Sequence, residues 1–135
     1  MEKTSTTQSS AFIKIGRIDM TRAREAHIKA GDIKIDKKHI AHVAGKHKTE
    51  LESLGLTAID FLRIIVENYN EIREARDGAF YLGKNDDVDY TYTAIIGLNY
   101  NEEKKFWEIK TAIPMRTAVF TKKNLVWKKG ANPLK

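Results

Sequence analysis

The most regular hydrophobic pattern of the chain lies between Ala58 and Tyr69, where apolar residues recur at the spacing of an α-helix. Thr57 precedes this segment as a candidate N-cap, because its hydroxyl can accept a hydrogen bond from a free amide of the first turn. Apolar residues occupy so much of the circumference that we expect this helix to be the main buried one. The predicted apolar face comprises Ala58, Phe61, Leu62, Ile65 and Tyr69.

The segments before this helix carry shorter patterns. Residues 11–15 alternate apolar and polar side chains and predict a strand, which Gly16 closes. Residues 21–29 predict a short polar helix, and residues 32–35 predict a second brief strand. Asp36 then suits the N-cap of a helix that follows at once and carries the first histidines of a cluster, with Gly45 expected to end or kink it.

From residue 79 onward the hydrophobic period changes to two, which is typical of β-strands. Strands are predicted at 79–82, 88–98, 106–113, 116–120 and 124–127. Pro114 is expected to end the third of these, because proline cannot donate to a strand ladder. Helices followed by a run of antiparallel strands predict an α+β domain, with the N-terminal helices packed on one face of the sheet.

The length of 135 residues and the hydrophobic content of 41% suit one compact domain, which we assign to residues 11–135. Residues 1–10 are polar and lack the apolar centre of a signal peptide, so we interpret them as a disordered leader or linker remnant. The chain contains no cysteine, which excludes disulfides and cysteine-based zinc sites. No apolar run is long enough to span a bilayer, and we expect no membrane anchor.

The formal net charge of +6 is unevenly distributed along the chain. Residues 1–50 carry 11 basic against 6 acidic side chains, residues 51–103 carry 4 against 11, and residues 104–135 carry 9 against 1. If the two basic ends meet in the fold, they form one positive surface that favours a phosphate-bearing partner or an acidic protein. The alternative is a charge pattern scattered over the solvated surface.

Three of the four histidines lie within residues 39–47, with lysines on both sides, in the stretch HIAHVAGKH. Imidazole can transfer protons near neutral pH or bind zinc, so His39, His42 and His47 can be read as a catalytic or a metal site. No carboxylate lies within residues 37–49 and the lysines would repel a cation, so we rank a metal site below catalysis and expect no cofactor. A solvent-exposed cluster without chemistry is the third alternative.

Cleavage of RNA through its own 2′-hydroxyl needs a base for that proton and an acid for the departing 5′-oxygen. It also needs groups that stabilise the charged phosphorane. The histidines suit the proton transfers, and the hydroxyls and arginine of segment 111–117 suit an oxyanion at the end of a strand. The catalytic residues of this hypothesis are His42, His47, Thr111, Arg116 and Thr117.

Paired lysines occur in the basic C-terminal third, at 104–105, 122–123 and 128–129, with Trp107, Phe120 and Trp127 between them. Basic groups interleaved with aromatic rings suit single-stranded nucleic acid. The aromatic residues also fit the strand pattern as core residues, which is the more common role. The residues expected to bind RNA are Lys46, Lys110, Lys122, Lys123 and Lys128.

A strand, an aspartate and a helix bearing HIAHVAGKH, followed by an apolar helix and strands that end in TAIPMRT, resemble the barnase/EndoU/colicin/RelE-like nucleases over roughly residues 12–127. The likeness is to their phage-associated and contact-dependent growth inhibition branches. It implies a metal-independent ribonuclease with helices on a four- or five-stranded antiparallel sheet. It also implies that His42 and His47 are catalytic histidines, and that Thr111, Arg116 and Thr117 lie on strands that complete the site.

The resemblance further implies a toxin domain of a larger secreted or delivered effector, which cuts tRNA or other RNA in the cytoplasm of a target bacterium. Such a domain is expected as a monomer or as a heterodimer with an acidic cognate immunity protein. The main alternative is a non-catalytic basic module that binds RNA or a protein partner. A histidine–metal hydrolase ranks third.

Overall fold

The computed structural model describes residues 12–46, 48–85 and 92–130, so the predicted leader and the last residues of the chain lie outside the described part. No helix of the described residues is long and apolar enough to cross a membrane. In chain order the elements are β1 (Phe12–Ile18), α1 (Met20–Ala26), β2 (Gly31–Asp36), α2 (Lys37–Lys46), α3 (Lys48–Leu54), α4 (Ala58–Asn68), β3 (Glu71–Glu74), β4 (Phe80–Lys84), β5 (Tyr92–Asn101), β6 (Phe106–Arg116), α5 (Thr117–Phe120) and β7 (Leu125–Lys128).

The strands of the described residues form one seven-stranded sheet in the order β1-β2-β6-β5-β4-β3-β7. Strands β2 and β6 run parallel, whereas the other neighbours are antiparallel. The α+β class is therefore confirmed, but the predicted four- to five-stranded, purely antiparallel sheet is wrong. Hydrophobic periodicity identifies a strand but not its neighbour, and the β2–β6 pairing joins segments far apart in the sequence.

Helix α4 is the main buried helix, as its sequence pattern predicts. Its N-terminus is held by a capping box, in which Thr57 Oγ1 accepts from the Asp60 amide at 3.1 Å and Asp60 Oδ2 accepts from the Thr57 amide at 3.3 Å. Its buried residues are Ala58, Phe61, Leu62, Ile65 and Val66. This apolar face lies against β1, β4 and β5, while α2 contacts α4, β2 and β6. The core therefore lies between these helices and one face of the sheet.

The opposite face of the sheet, which we call the second face, carries the side chains that alternate with the core residues. Leu82 belongs to the core, so its neighbours Tyr81 and Gly83 point to the second face. Helix α5 contacts β5 and β6, and its fully buried Phe120 packs on Gly83. Helix α5 thus covers one end of the second face, and the rest of that face is available for other contacts.

Gly83 is predicted to be intolerant of a side chain because of this contact. A Cβ at Gly83 would overlap ring atoms of Phe120, whereas a Cβ at Gly45 in α2 would meet no heavy atom within 4 Å. Gly83→Ala should lower the free energy of unfolding by about 1–3 kcal/mol. Gly45→Ala, the matched control, should raise it by about 0.5–1 kcal/mol. Urea denaturation measures both, and a Gly83→Ala variant as stable as the wild type would contradict the packing described.

Two local predictions about the C-terminal strands are wrong. Residues 117–120 form α5 instead of a strand. The helical turn directs the Phe120 ring onto Gly83. Pro114 does not end β6, which continues to Arg116 with Pro114 opposite Ala94. Within the described residues β2 pairs with β6 only at Trp107 and Glu108, so β6 is locally an edge strand at Pro114. Proline is tolerated in such a strand because an edge leaves backbone groups without a ladder partner.

Strand β7 is fastened to α1 by a cluster of aromatic and charged side chains. Arg22 Nη1 donates to the Tyr69 hydroxyl at 2.5 Å, and the Arg22 guanidinium lies 3.8 Å from the centre of a Trp127 ring. Trp127 Nε1 donates to Glu25 Oε1 at 3.0 Å. Burial raises the pKa of the Tyr69 hydroxyl, with the Arg22 charge acting in the opposite direction. These mutual contacts give Trp127 a structural role.

Candidate functional site

The histidines of α2 lie beside the part of β6 that has no β2 partner among the described residues. Asp36 begins the helix as predicted, since its Oδ1 accepts from the Lys38 amide at 2.9 Å. The rings of His39 and His42 are 6.3 Å apart between centroids, so the two share a helix face as expected. His39 is half-buried and His42 is exposed. Both line a cavity of about 50 Å³, here called the histidine cavity, together with Val43 and residues 109–113.

A bulge in β6 shapes the sheet at the histidine cavity. Gly97 of β5 pairs with Thr111, whereas the next residue, Leu98, pairs with Ile109, so Lys110 is the extra residue of β6. A bulge bends its strand and changes the direction of nearby side chains. Lys110 is exposed, with its Nζ 3.2 Å from Glu108 Oε2 on the same strand. The Lys110 side chain is 48% exposed and that of Glu108 is 13% exposed, so the ammonium group is held by Glu108 on one side and is accessible to a ligand on the other.

A larger cavity of about 760 Å³ lies on the second face, and we call it the basic cleft. It is bounded by the turn between β3 and β4, by β5 and β6, and by residues 122–124. Four basic and two acidic side chains contribute to its lining, so its charge is positive on balance. The lining residues are Glu74, Ala75, Arg76, Asp77, Ala79, Tyr81, Gly97, Asn99, Lys110, Thr111, Lys122, Lys123 and Asn124.

The two cavities share two lining residues at the bulge of β6. Lys110 and Thr111 line both the histidine cavity and the basic cleft. A ligand in the basic cleft that contacts Lys110 or Thr111 is therefore next to the segment of β6 against which His39 and His42 of α2 lie. Positive charge, a hydroxyl and imidazole are thus brought next to one another by segments more than 60 positions apart in the sequence.

The backbone around Lys122 and Lys123 is held in place by a buried ion pair. Arg73 Nε donates to Glu71 Oε1 at 2.7 Å, and Arg73 Nη1 donates to the carbonyl oxygens of Thr121 at 3.2 Å and Lys123 at 2.7 Å. The side chains of Glu71 and Arg73 are 5% and 11% exposed. Asn85 Nδ2 also donates to Glu71 Oε2 at 3.0 Å. We call residues 121–124 the lysine segment; Arg73 fixes its backbone from beneath.

The turn between β3 and β4 places Arg76 at the cleft. Asp77 and Gly78 both adopt positive φ, 55° and 78°, as a tight hairpin turn requires. The Ala75 amide donates to the Ala79 carbonyl at 2.9 Å and closes the hairpin. The hydrophobic pattern predicts no strand at residues 71–74, so β3 is an element that the sequence analysis lacks. The Asp-Gly pair was the available signal for this hairpin, and with it for Arg76 and Tyr81.

The predicted site residues fall into three groups. Thr111, Lys110, Lys122 and Lys123 line the basic cleft, and Thr111 also lines the histidine cavity with His42. Three predicted residues lie outside the described lining of both cavities: Arg116, exposed at the end of β6; Thr117 in α5; and Lys128, exposed on β7. Thr117 Oγ1 lies 2.9 Å from Thr93 Oγ1 and so has a partner inside the fold. His47 and the side chain of Lys46 lie outside the described residues.

The aromatic residues that separate the paired lysines are not part of the cleft. Trp107 is 2% exposed and Phe120 is 0% exposed, so both belong to the interior. Their core role is the more common one anticipated from the strand pattern. The cleft-lining residues absent from the predicted site include Arg76, Tyr81, Asn99 and Asn124. Tyr81 was detectable in principle, because it alternates with core residues of β4.

Within the described ranges, no three histidine, aspartate or glutamate side chains are grouped closely enough to hold a metal ion. His47, the third histidine of the metal alternative, lies outside those ranges. Comparison of the chain with protein-family models, with curated proteins and with solved structures returned no match.

Proposed function

We propose that this protein is a metal-independent endoribonuclease that holds RNA in the basic cleft and cuts it at the bulge of β6. The observation that carries this proposal is that Lys110 and Thr111 line both the basic cleft and the histidine cavity. The basic cleft supplies charge for the phosphate backbone, and the histidine cavity supplies groups that transfer protons. We expect a phosphate bound at Lys110 and Thr111 to contact groups of the basic cleft and of the histidine cavity.

The reaction proposed is attack of the RNA 2′-hydroxyl on the adjacent phosphorus. One imidazole takes the hydroxyl proton, a second group returns a proton to the departing 5′-oxygen, and a 2′,3′-cyclic phosphate remains. His42 performs one of these transfers, and His47 is the partner suggested by the sequence. Lys110 and Thr111 bind the phosphate oxygens, whose negative charge grows in the transition state.

The experiment is incubation of the purified protein with total tRNA in EDTA. Fragments that end in 2′,3′-cyclic phosphate are the expected result. Intact RNA with a mobility shift would contradict catalysis and favour the second candidate below. Cleavage that stops in EDTA and returns with zinc would contradict the metal-independent mechanism and favour a metal-dependent hydrolase.

The second candidate function is a non-catalytic module that binds RNA. It is favoured by one feature of the basic cleft: the described lining contains four basic side chains and Tyr81, but the histidines lie next to it and not in it. Binding to phosphates needs only these cations and is strongly weakened by salt. Cleavage in EDTA by the wild type decides between the candidates.

The biological setting of the proposal is a toxin domain delivered into a target bacterium, where an acidic immunity protein neutralises it. The net charge of +6 and the positive lining of the basic cleft support an acidic partner, because opposite charges speed and strengthen association. An acidic protein encoded beside this chain should co-purify with it and protect tRNA from it. Unaltered cleavage in the presence of that protein would contradict the pairing.

A further inference from the structure

Tyr81 is the aromatic residue of the described part of the chain that lines the basic cleft. It lies on β4 and is half-buried, so its ring is partly accessible to a ligand. The neighbouring residues Phe80 and Leu82 face the core, and Phe80 packs on Trp107 with ring centroids 5.7 Å apart. Tyr81 therefore belongs to the second face and takes no part in that aromatic core.

Gly97 leaves the space that the Tyr81 ring occupies. A Cβ at Gly97 would lie 3.3 Å from Tyr81 Cε1 and 3.3 Å from Thr111 Cβ, which is closer than a side chain comfortably approaches. One edge of the ring thus lies against the backbone of β5, close to Thr111 at the bulge. The contact with Gly97 restricts the ring on this edge, which lowers the conformational entropy that ligand binding would cost.

Charged and amide groups surround this ring. Lys123 Nζ lies 5.5 Å from the centre of the Tyr81 ring. Lys110, Lys122 and Asn99 line the same cleft, whose volume of about 760 Å³ falls within the range of about 300–1,000 Å³ that holds small organic ligands. The cleft thus combines an aromatic surface, ammonium groups for phosphate and an amide for hydrogen bonding to a base edge.

We infer that the basic cleft takes an unpaired nucleotide, with its base stacked on Tyr81 and its phosphates held by Lys110 and Lys123. In duplex RNA each base is covered on both faces by its neighbours, so only a single-stranded segment can present a base to the ring. The preferred substrate is accordingly a loop or an unpaired end. The inference rests on the proposed function for the choice of RNA as ligand, but it requires binding and not cleavage.

The test compares three fluorescent probes that cannot be cut, all with 2′-O-methyl riboses. They are a short single strand, the same strand without bases, and the same strand annealed to its full complement. Fluorescence anisotropy with the wild-type protein at one fixed salt concentration should give the tightest binding for the single strand with bases. No variant is needed for this comparison, so it is independent of any effect of mutation on folding.

The variant Tyr81→Leu should bind the base-containing strand about 5- to 150-fold more weakly, the loss typical of one base–aromatic stack. Tyr81→Phe keeps the ring and should bind close to wild-type affinity. Both variants should bind the strand without bases as the wild type does, because phosphate contacts are unchanged. Thermal unfolding of both variants checks that the cleft persists.

Three results would overturn the inference: equal affinity for strands with and without bases, equal affinity for the single strand and the duplex, or no loss in Tyr81→Leu. Each would describe a cleft that attracts any polyanion, including an acidic protein. The tRNA assay separates this failure from failure of the proposed function. Tyr81-dependent binding without cleavage leaves the inference standing and removes the nuclease; cleavage with binding that ignores Tyr81 does the opposite.

Discussion

Replacing His42 with alanine is expected to lower the rate of RNA cleavage by about 10²–10⁴-fold, the contribution of one general acid or base. His42 is exposed on α2, so its loss should change the free energy of unfolding by no more than about 0.5 kcal/mol. The activity should thus disappear from a protein that is still folded. Initial rates on tRNA in EDTA, together with urea denaturation, measure both quantities.

The matched control is His27→Asn, which removes a histidine far from the cavities. His27 ends α1 with a φ of 58°, a conformation that asparagine tolerates better than alanine does. This variant should cleave at the wild-type rate, and because it is purified in the same way it also tests for a contaminating nuclease. Cleavage by His42→Ala at a rate close to that of His27→Asn would remove His42 from the mechanism. His47→Ala, tested in parallel, is expected to match His42→Ala.

The parts of the fold that follow from local chemistry could be predicted from the sequence. Thr57 and Asp36 begin their helices as expected, because a side-chain oxygen satisfies amides of the first turn in each case. The apolar face of α4 is visible in the sequence because its residues recur at helical spacing, and it is buried because those residues are apolar. His39 and His42 share a face because three-residue spacing fixes it in any helix.

The parts that depend on distant segments could not be predicted. Residues 71–74 show no strand pattern in the sequence, because Glu71 and Arg73 are charged and are buried in β3 as an ion pair that only the folded chain forms. Helix α5 reads as a strand until Phe120 meets Gly83, a residue of β4. The basic cleft requires both elements, which is why lysines 122 and 123 were found by their charge and Tyr81 was not.

The predicted catalytic residues likewise include some that distant strand pairings place at the cavities and others that they place elsewhere. Thr111 and Arg116 were chosen because they flank Pro114, which was expected to end a strand. The strand continues through Pro114, so Arg116 lies beyond the cavities while Thr111 lies at their junction. The bulge at Lys110 is set by its pairing with β5 and has no signature in β6 alone. Thr111 and Lys110 consequently carry more of the proposed mechanism than Arg116 and Thr117 do.

Replacing Arg73 with methionine is expected to cost about 3–5 kcal/mol of the free energy of unfolding. The variant leaves Glu71 buried without its charged partner, and it leaves the carbonyl oxygens of Thr121 and Lys123 without their donor. A domain of this kind is stable by only about 5–15 kcal/mol, so the loss is a large share of the total. Urea denaturation at neutral pH gives the difference.

Two further variants test whether the cost of Arg73→Met comes from the buried ion pair. Arg17→Met makes the same chemical change at a side chain that is 54% exposed and 3.9 Å from Asp32, and should cost no more than about 1 kcal/mol. Adding Glu71→Gln to Arg73→Met removes the unpaired buried charge and should recover part of the loss, a coupling of about 0.5–3 kcal/mol. A cost for Arg73→Met equal to that of Arg17→Met would contradict the buried pair. Arg73 also fixes the backbone of the lysine segment. The double variant, although more stable than Arg73→Met, should therefore bind RNA with a weaker salt dependence than the wild type.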